Sequence, residues 1–93
     1  MMGEKKDLIY KIPCQDCKLC YIGETAQWYD EKEKQHKRCI HNQHDNNALF
    51  RHIKETGHNI AWEQVEFLEF EQRKYRRKMK ESFFIDMYAA KMG

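Results

Sequence analysis

The stretch IYKIPCQDCKLCYIGET, residues 9–25, decides how this chain folds. Two short apolar runs each carry a tyrosine, and a Cys14-x-x-Cys17 pair lies between them. Residues 8–12 alternate apolar and polar, the period of a strand. Pro13 ends that strand, because proline has no N–H for the ladder. Residues 19–23 read as a second strand. The six-residue connection, 13–18, makes an antiparallel hairpin the economical pairing. The CxxC pair therefore sits at a hairpin tip.

Working outward, Thr25 is placed to cap a polar helix over residues 26–38, with Trp28 and Tyr29 its main apolar members. A loop rich in His and Asn follows. Asp45, Asn46 or Asn47 caps a second helix, 48–55, and Gly57 suits its C-terminal end. Residues 60–70 predict a third strand, covered on both faces because its alternation is imperfect. Residues 71–92 predict a long helix. Tyr75, Met79, Phe83 and Met87 recur at helical spacing, with Phe84 and Tyr88 widening that apolar face. The order is β-β-α-α-β-α, a small α/β sandwich in one domain spanning residues 1–93, its core about 8–88. Ninety-three residues bury a limited core, so a metal staple would help.

The net charge is only +2, so the total does not announce a nucleic-acid binder. Distribution says more. Residues 73–80 hold six cations and no acid, a stripe able to lie along a phosphate backbone. No apolar run reaches the length of a membrane span, and the start, MMGEKKDL, lacks a signal-peptide core. An intracellular, reducing compartment is the expectation, where clustered cysteines are more often metal ligands than disulfides.

Cys14 and Cys17 supply half of a zinc site, and His52-x5-His58 supplies the other half. Two ligands come from a hairpin tip and two from the end of a helix and its following loop. The competing reading leaves both histidines on the surface at a helix C-terminus, where cations are favoured. Rival ligands are Cys20, His36, His41 and His44. Cys20 directly precedes Tyr21 in a strand, so the two point to opposite faces. Cys20 therefore reads as a small buried apolar residue, and Cys39 likewise. Four protein ligands leave no position for water, which makes such a zinc structural.

Taken together, Ile9-Tyr10 and Tyr21-Ile22-Gly23-Glu24-Thr25 in paired strands resemble the GIY-YIG nuclease domain. The resemblance extends through His36 on the following helix, the stretch 47–58, and Glu81 in the last helix. The Cys14/Cys17 pair between the tyrosines, with His52 and His58 later, is more specifically similar to the endonuclease domains of Penelope-like retroelements. This resemblance implies a metal-dependent DNA endonuclease that nicks or cuts duplex DNA for mobile-element insertion. Glu81 would hold one catalytic Mg²⁺ or Mn²⁺, beside the structural Zn²⁺. Tyr10 would help take a proton from water, with Tyr21 orienting groups or sharing that work. A free phenol has a pKa of about 10, so cations must favour its phenolate for it to serve as a base. His36 would position water or phosphate, or act as a base.

Two positions depart from the family pattern. Leu8 stands where the family has its first glycine. Lys32 stands where the family has an arginine, and it offers a point charge in place of a planar fork. A weakened enzyme follows from that, or, alternatively, a catalytically inactive zinc-stabilised DNA-binding module of the same fold. Contacts to double-stranded DNA would come from Lys34, Lys37, Arg38, Arg73, Lys74, Arg76, Arg77 and Lys80. They would position the protein without specifying sequence. The resemblance also implies a reverse transcriptase domain on the same parent polypeptide, and a nuclear location if the element is eukaryotic.

Overall fold

The computed structural model describes residues 5–88 and Met92. The expected hairpin is formed by β1 (Leu8–Pro13) and β2 (Cys20–Thr25), antiparallel, with Leu8 opposite Thr25 and Pro13 opposite Cys20. A third strand, β3 (Glu66–Phe70), pairs antiparallel with the other side of β1. The order β2-β1-β3 puts β1 at the centre. Three helices complete the α/β unit: α1 (Tyr29–His41), α2 (Ala48–Thr56) and α3 (Lys74–Met87).

Alternation along β1 sorts its side chains into two layers. Leu8, Tyr10 and Ile12 pack with Tyr29 of α1 and Leu49 of α2. Ile9 packs with Cys20 and Ile22 of β2, against Phe84, Ile85 and Tyr88 on the α3 side. Cys20 and Tyr21 do point to opposite faces, and Cys20 is buried. Cys39 is only half-buried.

Three expected elements differ. Thr25 does not cap α1. It stays paired in the sheet, and its hydroxyl accepts from the Gln27 N–H at 3.0 Å, closing a short turn instead. The helix starts later, at Tyr29, whose N–H is satisfied by the Lys5 carbonyl at 2.7 Å. The third strand is shorter than 60–70. Ile60 makes one isolated bridge to Cys14, and Trp62–Gln64 forms a 3-10 turn before β3 begins. β3 is an edge strand with exposed ends, and both of its faces are partly covered as expected: Phe67 packs against the Tyr10 layer and Leu68 against the Ile9 layer.

The last helix turns inward only the edge of the expected apolar face, Phe84 and Tyr88. Tyr75, Met79, Phe83 and Met87 do recur at helical spacing, yet Tyr75 is 75% and Phe83 64% exposed. The inward side carries Arg77, Phe84, Ile85 and Tyr88. Arg77 sets this orientation. It was expected on DNA, but it is 3% exposed, and its Nε donates to Glu24 at 2.5 Å with Asp7 at 3.6 Å. The same Nη1 that faces Asp7 donates to the Glu71 and Gln72 carbonyls. A guanidinium so enclosed cannot meet a phosphate. Burial alone would raise the Glu24 carboxyl, but Lys78 and Arg77 outweigh it and hold that group below its ordinary value. Removing one partner of such a buried pair typically costs about 3–5 kcal/mol. Residues 89–91 of the expected helix lie outside the described residues.

Gly23 faces Tyr10 across the hairpin. A Cβ there would lie 2.5 Å from the Tyr10 hydroxyl oxygen and 2.8 Å from Tyr21 Cε2. Only glycine lets the two phenol rings close over the strand. We expect Gly23→Ala to lower the unfolding free energy by about 1–3 kcal/mol, as overpacking does. Urea denaturation measures it, and an unchanged midpoint would show that the rings do not meet there.

Candidate functional site

Two clusters stand at opposite ends of α2. The first joins the hairpin tip to the end of that helix. Cys14, Cys17, His52 and His58 bring one ligand atom each within 4.8 Å of one another. Cys14 Sγ lies 3.6 Å from His58 Nδ1 and 3.3 Å from His52 Nε2, and Cys17 Sγ lies 3.6 Å from His52 Nε2. A tetrahedron with Zn–S of about 2.3 Å and Zn–N of about 2.05 Å has S···N edges of roughly 3.5 Å. The donor set and its spacing therefore fit a structural zinc ion.

Local sequence builds this arrangement. Gly57 ends α2 at φ +75°, a left-handed conformation that costs glycine little, and its N–H bonds the Ile53 carbonyl. That turn swings His58 back toward the hairpin. The Thr56 hydroxyl donates to the His52 carbonyl at 2.6 Å and accepts from the His58 N–H at 3.1 Å. The Asn59 N–H donates to Asp16 Oδ2 at 2.8 Å, and the Gln15 N–H to the Asn59 carbonyl at 2.8 Å, which holds the two ligand segments side by side. The Asp16 N–H approaches Cys14 Sγ at 3.4 Å, an outer bond of the kind that steadies a metal thiolate. Burial pushes the Cys14 thiol up and the His52 imidazolium down. The rival ligands lie elsewhere: Cys20 faces the α3 layer, and His41 and His44 are exposed.

The second cluster gathers at the start of α2. Tyr10 is fully buried, and its hydroxyl lies 2.9 Å from His36 Nε2. The Tyr21 ring packs 6.1 Å from that of Tyr10 and 5.1 Å from His36, centroid to centroid. Gly23 makes room for both phenols. Lys32 and His36 stand one turn apart on α1 and share a side of that helix. Glu81 reaches this group from α3. Its half-buried carboxylate accepts from the Glu24 backbone N–H, on the edge strand β2, and feels the charges of Lys78, Glu24 and Lys32. Desolvation, the largest influence, pushes it above its ordinary value.

This geometry alters two expected roles. Burial first, then the neighbouring phenols Tyr21 and Tyr29 and the Glu81 charge, drives the Tyr10 phenol well above its ordinary value. Tyr21 is also pushed up, by burial and then by Glu81, with Lys78 opposing weakly. Cations therefore do not hold either phenol as phenolate, and Tyr10 is too deep to touch water. His36 is 6% exposed and pushed down to about 4 by burial and by Lys32. Its two nitrogens are already engaged, by Tyr10 and by Asn47 Nδ2 at 3.1 Å. It is neutral at pH 7 and supports the tyrosine; it does not meet phosphate.

Sequence reasoning missed Lys78 and Glu24. Lys78 shares a side of α3 with Lys74 and Glu81, at i, i+3 and i−4 spacing, and pairs with Glu24 at 2.7 Å. That spacing was its available signal. Of the expected phosphate contacts, Lys34, Lys37, Arg38, Arg73, Lys74 and Arg76 are exposed. Lys37 pairs with Glu33 at 3.1 Å and covers Trp62. Lys80 is drawn between Glu69 and Glu71.

Comparison of the chain with protein-family models, with curated proteins and with solved structures finds no match. No helix among the described residues is long and apolar enough to cross a membrane.

Binding of a structural zinc carries about 10–16 kcal/mol in small domains, comparable with the whole net stability of a typical fold, about 5–15 kcal/mol. Purified protein should therefore contain about one zinc per chain, and chelation should lower its melting temperature steeply. A Cys14→Ser, Cys17→Ser variant that keeps both metal and stability would contradict this ligand set.

Proposed function

We propose that the chain is a metal-dependent DNA endonuclease of the GIY-YIG type. The observation that carries this reading is convergence. Tyr10, Tyr21, Gly23, His36 and Glu81, spread over some seventy positions, meet around the edge of β2, with Lys32 beside them. Each of these residues has a bland role when taken alone. An aromatic–imidazole–carboxylate group whose outer members, Tyr21 and Glu81, are half-buried and bordered by lysines suits an anionic substrate better than it suits a core.

The residues fit one hard divalent cation. Glu81 spends part of its hydrogen-bonding capacity on the Glu24 N–H and retains lone pairs, and its exposure leaves room for water ligands. Mg²⁺ or Mn²⁺ held there would supply charge stabilisation at a phosphoryl oxygen and at the departing 3′ oxygen. The chain's own groups do the rest. Lys32 and Lys78 add positive charge where negative charge develops. Tyr21, at the mouth of the cluster, orients phosphate or water through its hydroxyl. Tyr10 and His36 hold Tyr21 in place from below. Lys74, Arg73, Arg76 and the α1 cations Lys34, Lys37 and Arg38 would track the backbone of double-stranded DNA. Insertion of a mobile element is the setting we propose for this activity, with a reverse transcriptase on the same parent polypeptide.

One observation favours the second reading, a zinc-braced DNA-binding module without chemistry. Lys32 lacks the bidentate grip of arginine on phosphate. With supercoiled plasmid and Mg²⁺, we expect conversion to open circle or linear DNA, its loss in Glu81→Ala, and faster cleavage by Lys32→Arg. Cleavage unchanged by Glu81→Ala would remove the proposed metal role. Salt-sensitive DNA binding with no cleavage by either the wild-type or the Lys32→Arg protein would favour the binding module.

A further inference from the structure

Asn47 is the N-cap of α2, and its Oδ1 accepts from the Phe50 N–H at 3.0 Å. That bond fixes which way the amide points, since only its oxygen can accept. Nδ2 of the same amide lies 3.1 Å from His36 Nδ1. An amide nitrogen donates and cannot accept, so His36 Nδ1 must carry the lone pair. A neutral imidazole has one N–H, which then sits on Nε2. Nε2 faces the Tyr10 oxygen at 2.9 Å. His36 therefore donates to Tyr10 and cannot take its proton. With its oxygen occupied by that donor, Tyr10 keeps its own hydrogen for another acceptor, and one phenol packed beside it is Tyr21, 6.1 Å away between ring centroids.

We propose, on the nuclease reading above, that Asn47 is a positioning residue that sets the direction of a donor chain from Asn47 through His36 and Tyr10 to Tyr21. Every hydrogen in the chain points outward. Tyr21 receives a hydrogen from Tyr10 and presents its own O–H at the mouth of the cluster. Its partner there is an anionic phosphoryl oxygen. Donors aligned this way polarise one another, and a fixed donor aimed at developing charge needs no reorganisation. Tyr21 thus serves as a hydrogen-bond donor to the scissile phosphate, and Tyr10 as a relay that never leaves the interior. The same helix cap that starts α2 sets the protonation pattern of the site.

The test reads the tautomer directly, by long-range ¹H–¹⁵N correlation of the His36 ring in the full chain loaded with zinc. Wild type should show hydrogen on Nε2 and a bare Nδ1; the reverse would overturn the proposal. Asn47→Asp keeps the cap acceptor and replaces the amide donor with a second acceptor. His36 should then move its hydrogen to Nδ1, while the melting temperature holds. An unmoved tautomer in that variant would also overturn the proposal. Plasmid nicking by Asn47→Asp should fall by about tenfold, as for lost outer-sphere partners, and by Tyr21→Phe about a hundredfold. Asn47→Ser, which caps without presenting either group to His36, should nick at a rate between wild type and Asn47→Asp. If Asn47→Asp switches the tautomer and nicks at the wild-type rate, the donor chain is wrong and the nuclease reading stands. If neither wild type nor Lys32→Arg nicks, the nuclease reading fails and the donor role at phosphate fails with it. The NMR arm still decides separately whether Asn47 sets the ring.

Discussion

A phenol buried completely on the central strand has to find a hydrogen-bond partner in the interior, because an unpaired polar group there costs several kcal/mol. Tyr10 is that phenol, and His36 is its partner. Much of the molecule follows from the pair. The ring can lie across β2 only because Gly23 has no side chain. The imidazole can reach it only if α1 is laid over the same face, with Tyr29 packed edge-on to Tyr10 at 5.3 Å between centroids. His36 in turn needs a donor for its second nitrogen, and the first residue before α2 provides it. A core interaction and a candidate site are therefore the same set of atoms.

The Cys2His2 cluster works on the other end of α2. That helix is capped by Asn47, which touches His36, and carries His52, which belongs to the metal cluster. A nine-residue helix has little stability of its own. Its position depends on what grips its two ends. A zinc ion at the hairpin tip would fix one end to β1, and the amide–imidazole contact fixes the other. α3 is gripped differently, by the buried Arg77–Glu24 pair, and this places Glu81 at the edge of β2.

What could be read in advance was whatever local chemistry dictates. Alternation and Pro13 marked the hairpin. Cys14, Cys17, His52 and His58 had ligand spacing, and the structure brings them together. Gly57 marked a helix end and adopts the left-handed turn that ends one. What failed was decided by packing. Thr25 has one hydroxyl and two possible turns, and sheet pairing chose between them. The stretch 60–65 is apolar enough for a strand, but its backbone is used to hold the ligand loop against Pro13 and Cys14. The apolar stripe of α3 has sound helical spacing and still faces outward, since a periodic pattern does not reveal which side an arginine will anchor. The depth of Tyr10 was also hidden, because a tyrosine in a strand is as often half-exposed as enclosed.

The measurement closest to the centre of this account is a double-mutant cycle on unfolding free energy, with Tyr10→Phe, His36→Gln and both together. Two groups sharing a buried hydrogen bond should show a coupling energy of about 1 kcal/mol or more. Single effects that add to within about 0.3 kcal/mol would mean that the phenol and the imidazole do not meet, and the site built around them would not exist.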